Sequence, residues 1–165
     1  MKDNMKIAVY PGSFDPVSNG HLDIIKRTAK IFDKVYVVVS VNTKKKSTFT
    51  IEEKVEMLKK VTKDIENVIV EASQDLLLNY AKSKNACVII RGLRNFNDYQ
   101  DEITLFQFNR SIAPTIDTML LFPSQDNLFL SSSSIKELVT FNADISSYVP
   151  HELCNYITKT LKDRL

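Results

Sequence analysis

The chain has 165 residues, 44% hydrophobic and 25% charged, with 22 lysines and arginines against 20 acids. That is ordinary globular composition, which excludes a mainly disordered chain and allows one sizeable core. A net charge of +2 excludes a general affinity for polyanions, so anion chemistry must come from local clusters.

The longest apolar runs, 35–41 and 87–90, fall short of the roughly 20 residues a membrane span needs. No signal peptide is visible in the opening MKDNMK, and Cys87 and Cys154 lack partners at disulfide or zinc spacing. The expectation is a soluble, cytoplasmic protein with a single domain spanning 1–165. Average usage would supply about 11 or 12 glycines, and the chain has three, Gly12, Gly20 and Gly92. They should mark places where a Cβ is not tolerated, with Gly12 and Gly92 making turns after strands.

Strands are predicted at Lys6–Tyr10, Lys34–Val41, Asn67–Glu71, Ala86–Arg91 and Asp117–Phe122. Their continuous apolar runs suit strands buried on both faces, and Cys87 reads there as a small buried hydrophobe. Helices are predicted between them. Gly20–Phe32 places Leu22, Ile25, Ala29 and Phe32 on one stripe, and Thr50–Lys63 opens with Thr50 and Glu53 at capping-box spacing. Asp75–Ser83 is shorter, and Asp98–Ile112 carries Tyr99, Ile103 and Phe106 at helical spacing. Phe106 and Phe108 read as core or interface. Helices at Ser132–Phe141 and Pro150–Leu161 close the chain. The alternation predicts a Rossmann-like α/β fold: a doubly wound, five-stranded parallel sheet with C-terminal helices.

Four segments could carry chemistry. YPGSFDPVSNGHLD, 10–23, joins the first strand to the first helix. Gly20 at the helix start would let an anion approach the orphan amides, and His21 would project over it. It is neither a GxGxxG fingerprint nor a P-loop. NTKKKSTFT, 42–50, could steer phosphates or be a solvated charge run. In IIRGLRNFNDYQDE, 89–102, Arg91 and Arg94 bracket Gly92 and suit forked binding of phosphate oxygens. Glu102 could accept from a sugar or base, or pair with an arginine. NLFLSSSSIKE, 127–137, supplies hydroxyls and amides at another helix start, where one serine could simply be a cap. No carboxylate cluster suggests a dedicated metal site.

Ser18-Asn19-Gly20-His21 resembles the HxGH/TxGH signature of the nucleotidylyltransferase superfamily. With KKKSTFT, Asp75-Leu76-Leu77, IRGLRN, Glu102 and FLSSSSIKE in order, the chain resembles the bacterial phosphopantetheine adenylyltransferases from Lys6 to the last helix. The resemblance implies ATP + 4′-phosphopantetheine → dephospho-coenzyme A + pyrophosphate, with Mg²⁺ held mainly by the nucleotide. It also implies a homohexamer and coenzyme A as a feedback ligand.

Ser13, Lys45, Leu77 and Arg91 match positions that contact phosphopantetheine. Ser13, Phe14, His21, Gly92, Leu93, Arg94, Glu102 and the run Asn127, Leu128, Phe129, Leu130, Ser131, Ser132 and Ser133 match the ATP site. Ser18 stands where threonine or histidine is more usual, Ser13 where threonine is common, and Asn127 where an aromatic can occur. His21 is expected to stabilise the transition state, with Lys45 and Arg91 orienting the attacking phosphate. Alternatives are a nucleotidylyltransferase with another phosphate-bearing acceptor, such as nicotinamide mononucleotide or glycerol phosphate, and a non-catalytic ATP-sensing module.

Overall fold

The structure is a computed structural model that describes residues 5–40 and 46–165. Five parallel strands, β1 (Ile7–Gly12), β2 (Lys34–Ser40), β3 (Val68–Ser73), β4 (Val88–Gly92) and β5 (Asp117–Leu121), form one sheet in the order β3-β2-β1-β4-β5. The strand order reverses between β1 and β4. In open α/β sheets the crevice at such a reversal, outside the carboxyl ends of the strands, is where ligands sit.

Burial on both faces explains the continuous apolar runs. Ala8 and Tyr10 of β1, Val35, Val37 and Val39 of β2, and Val88 and Ile90 of β4 face one core. That core is completed by α1 (Asn19–Ala29), α2 (Ile51–Thr62), α5 (Ser132–Thr140) and α6 (Cys154–Arg164). Val9, Val38 and Ile89 face the smaller core beneath α3 (Leu77–Ser83), with Ala113 and Ile116 just past α4 (Phe96–Ile112). The predicted capping box of α2 is present: Thr50 Oγ1 accepts from Glu53 N, and Glu53 Oε2 accepts from Thr50 N.

Three expectations are corrected. Cys87 is exposed, because it stands one residue before β4, at the amino-terminal lip the helices do not cover. α4 is not amphipathic toward this core: Glu102 is its one buried residue, and Tyr99, Ile103, Phe106 and Phe108 are exposed. The core reading of the two phenylalanines therefore fails. Gly12 and Gly92 make no turn. They end β1 and β4, and neither has positive φ.

Their missing side chains serve close packing instead. A Cβ on Gly12 would meet the Phe14 ring at 2.8 Å, and one on Gly92 would meet Ile24 Cδ1 at 2.8 Å. The turn after β1 falls to Phe14, whose φ of 44° is an unusual conformation for a bulky residue. Its ring is fully buried and packs edge-on against both Tyr10 and His21.

Candidate active site

A cleft of about 410 Å³ lies over the carboxyl ends of β1 and β4. Ser13, Ser18, Gly20, His21, Arg91, Gly92, Arg94, Asn127, Leu130 and Ser131–Ser133 line it, so most of the predicted site converges. Two helix N-termini, those of α1 and α5, open onto it. Orphan amides and the positive ends of helix dipoles favour anions there.

His21 is held from behind. The Ser18 backbone N–H donates to His21 Nδ1 at 3.1 Å, and Ser18 Oγ lies 3.0 Å from the same nitrogen. The His21 N–H in turn donates to Ser18 Oγ, so the pair forms the capping box of α1. A nitrogen that accepts from a backbone amide carries no proton, which puts the imidazole proton on Nε2. Burial, reinforced by the Arg94 guanidinium, pushes the His21 pKa down to about 4. At neutral pH the side chain is an uncharged Nε2–H donor.

The two arginines are steered by carboxylates of α4. Arg91 forks onto Glu102, with Nε at 2.9 and 2.8 Å from the two oxygens and a terminal nitrogen at 2.6 Å. The pairing alternative for Glu102 is thus the observed one, and its carboxylate reaches the site through Arg91. Arg94 forks onto Asp98 at 3.0 and 3.1 Å and reaches the Leu130 carbonyl at 3.3 Å.

At the start of α5, Ser131 and Ser134 cap each other, while Ser132 Oγ donates to the Pro16 carbonyl at 2.8 Å. Ser133 lines the cleft and is exposed. Leu128 and Phe129 line an adjoining depression with Arg94, Asn95, Ser131 and Ser133.

Some predicted residues stand elsewhere. Phe14 contributes a buried ring beneath the site, Leu93 is buried, and Leu77 packs against the smaller core at the start of α3. Lys45 lies outside the described residues.

Sequence reasoning missed a charge cluster beneath the cleft. Asp15, 7% exposed, accepts from the Thr48 and Phe49 amides and pairs with Lys136 and with Lys54, the latter at 3.6 Å. It ties the loop after β1 to the start of α2 and to α5. Burial pushes its carboxyl upward, but these partners outweigh burial and hold it below the usual carboxylate range. All three residues are far apart in sequence, and Lys54 and Lys136 stand beside other charges, Glu53 and Glu137, so nothing local marks the cluster.

The match to known proteins follows this geometry. The family described as cytidylyltransferase-like matches residues 9–138. A curated protein of Clostridium botulinum (strain Eklund 17B / Type B), named phosphopantetheine adenylyltransferase, is 46% identical over 96% of this chain and 99% of its own. The chain belongs to the phosphopantetheine adenylyltransferase family. Another member, from Nautilia profundicola, is 44% identical over 88% of this chain and 95% of its own.

Solved structures share the fold of this family at low identity. A Vibrio parahaemolyticus protein, provisionally designated a nicotinate-nucleotide adenylyltransferase, superposes with a TM-score of 0.66 at 19% identity, over 97% of this chain and 93% of that one. A bifunctional NMN adenylyltransferase/ADP ribose pyrophosphatase from Francisella tularensis gives 0.69 at 16% identity, over 97% of this chain and 52% of that one. Like the members of its family, the chain is a nucleotidyltransferase. No described helix is long and apolar enough to cross a membrane.

Proposed function

We propose that the chain transfers the adenylyl group of ATP to the phosphate of 4′-phosphopantetheine, giving dephospho-coenzyme A and pyrophosphate. The observation that carries this reading is the convergence of a neutral His21 donor, two arginines and two helix N-termini on one cleft. A phosphate monoester oxygen attacks the α-phosphorus, a P–O bond forms, and the bond to pyrophosphate breaks. The attacking oxygen is already ionised at neutral pH, so the step needs no general base. Catalysis then rests on positioning two anions and stabilising charge at the α-phosphate.

His21 Nε2–H donates to the α-phosphate oxygens as charge builds. Arg91, aligned by Glu102, orients the attacking phosphate with Lys45, and Leu77 with Ser13 contacts the acceptor. The amides of Ser13 and Phe14, the Gly92–Arg94 segment and the Asn127–Ser133 run hold the nucleotide.

The metal proposed is Mg²⁺. Among the described residues no three His, Cys, Asp or Glu side chains cluster as a metal site, and no carboxylate lines the cleft. A lining of serine hydroxyls, His21 and two arginines fits an ion carried by the nucleotide phosphates with its waters, as Mg²⁺ usually is. Bound there, the ion would neutralise phosphate charge.

The remaining family features are also proposals: one domain over 1–165, a cytoplasmic location, a homohexamer, and coenzyme A as a feedback ligand. The exposed apolar residues of α4 suit burial against another copy. Light scattering reads that assembly directly. Mass spectrometry of ATP and 4′-phosphopantetheine after incubation with the protein tests the reaction. Dephospho-coenzyme A and pyrophosphate should appear together, with Mg²⁺ required. Pyrophosphate release with nicotinamide mononucleotide or glycerol phosphate alone would replace the acceptor. ATP binding with no turnover on any acceptor would mark a sensing module.

A further inference from the structure

Tyr10 is a polar residue of the cleft to which the reaction above gives no role. It is 4% exposed and sits on β1, two residues before the end of the strand. Its ring belongs to the main core and packs edge-on at 5.7 Å against Phe14, the ring that also packs against His21. Its hydroxyl reaches the cleft, 3.7 Å from the point where a Cβ on Gly92 would stand.

The hydroxyl donates no hydrogen bond to any described residue. It is not sealed away either: the unpartnered oxygens closed off from solvent among the described residues are those of Thr28 and Thr118. Buried tyrosine hydroxyls ordinarily find a partner. A tyrosine whose ring is locked and whose donor opens into an anion cleft has that partner in the ligand. Burial raises the phenol pKa well above its usual value, against the pull of Arg91 and Arg94, so the group stays a protonated donor.

We infer that Tyr10 is a substrate-binding residue whose hydroxyl donates a hydrogen bond to the phosphate of the acceptor, beside Arg91. This rests on the acceptor reading given above. Position selects the acceptor over the nucleotide. His21 and the serine amides occupy the helix ends of the cleft, whereas Tyr10 rises from β1 and its phenol feels the Arg91 guanidinium more than that of Arg94. In-line displacement requires the attacking oxygen to come from the side opposite the leaving pyrophosphate. If the helix ends hold the nucleotide, the acceptor phosphate comes over the strand floor.

The test is calorimetric titration of wild type and Tyr10→Phe with 4′-phosphopantetheine, with pantetheine lacking the phosphate, and with ATP. Phenylalanine keeps the buried ring and removes only the donor, and a thermal melt of both proteins checks the fold. The expected result is a loss of about 10- to 100-fold in affinity for 4′-phosphopantetheine, the range for a hydrogen bond to a charged group. Pantetheine and ATP should bind both proteins alike. Equal binding of 4′-phosphopantetheine by both proteins overturns the assignment of Tyr10 alone. A loss confined to ATP also overturns it, placing the hydroxyl on the nucleotide. Failure of wild type to bind 4′-phosphopantetheine overturns the functional reading itself.

Discussion

The backbone N–H of Ser18 donates to Nδ1 of His21 across one helical turn, at 3.1 Å. That bond makes the capping histidine of α1 and the proposed transition-state donor the same side chain. His21→Ala should therefore cost both stability and rate, and rate far more. Loss of one preorganised donor typically lowers kcat by about 10²–10³-fold. ATP affinity should change little, since the donor acts mainly in the transition state. Steady-state kinetics and ATP titration on one preparation check this; near-normal kcat would sink the mechanism.

The same residue sets a pH dependence. The folded value of about 4 lies below the ordinary 6.5 of the unfolded chain, so on acidification the unfolded chain takes its proton first. The stability contributed by neutral His21 is complete above pH 6.5 and is lost as pH falls toward 4. Urea melts at pH 8, 6 and 5 should show that slope in wild type. His21→Ala should lack it.

Arg91 and Glu102 act as one unit, so Glu102→Gln should behave like a weakened Arg91. Acceptor KM should rise about tenfold, the scale of one charge-assisted hydrogen bond, with ATP affinity nearly unchanged. Arg91→Lys should not restore it, because an ammonium cannot fork onto two oxygens. A larger loss for ATP than for acceptor would show Glu102 touching the nucleotide directly.

Asp15→Asn leaves Lys136 and Lys54 without their shared carboxylate. Removing one partner of a buried ion pair costs up to about 3–5 kcal/mol, so the melting temperature should drop clearly. In wild type the depressed carboxyl contributes stability at pH values above the usual carboxylate range. That contribution is lost as pH falls through the lowered folded value. Acid denaturation curves of the two proteins should converge at the lowest pH.

Gly12→Ala drives a methyl into the Phe14 ring, which is fully buried and has no room to yield. Overpacking of this kind costs about 1–3 kcal/mol. Because Phe14 also backs His21, kcat should fall with it. Gly92→Ala meets only the flexible tip of Ile24 and should be milder. Melts and kinetics of both variants rank them.

The strand runs, the Thr50 capping box, and the grouping of His21, Arg91, Arg94 and the serine block were legible in the chain. Each depends on neighbours within a few residues or on a periodicity that burial imposes. The inner strands β2, β1 and β4 could be read because residues buried on both faces must be apolar without interruption. What the glycines do could not be read that way. Gly12 and Gly92 are distinguished by Phe14 and Ile24, side chains that approach only after the loop and α1 fold back.

The exposure of α4 was equally hidden, since an apolar helical stripe looks the same whether this core or another surface covers it. The pairing of Glu102 with Arg91, the Asp15 cluster and the direction of the Tyr10 hydroxyl belong to the tertiary structure alone. The sequence lists donors and charges in order along a line. Folding brings residues as far apart as 15 and 136 into contact and so decides which charge each donor serves, because Coulombic and hydrogen-bond energies depend on distance in space.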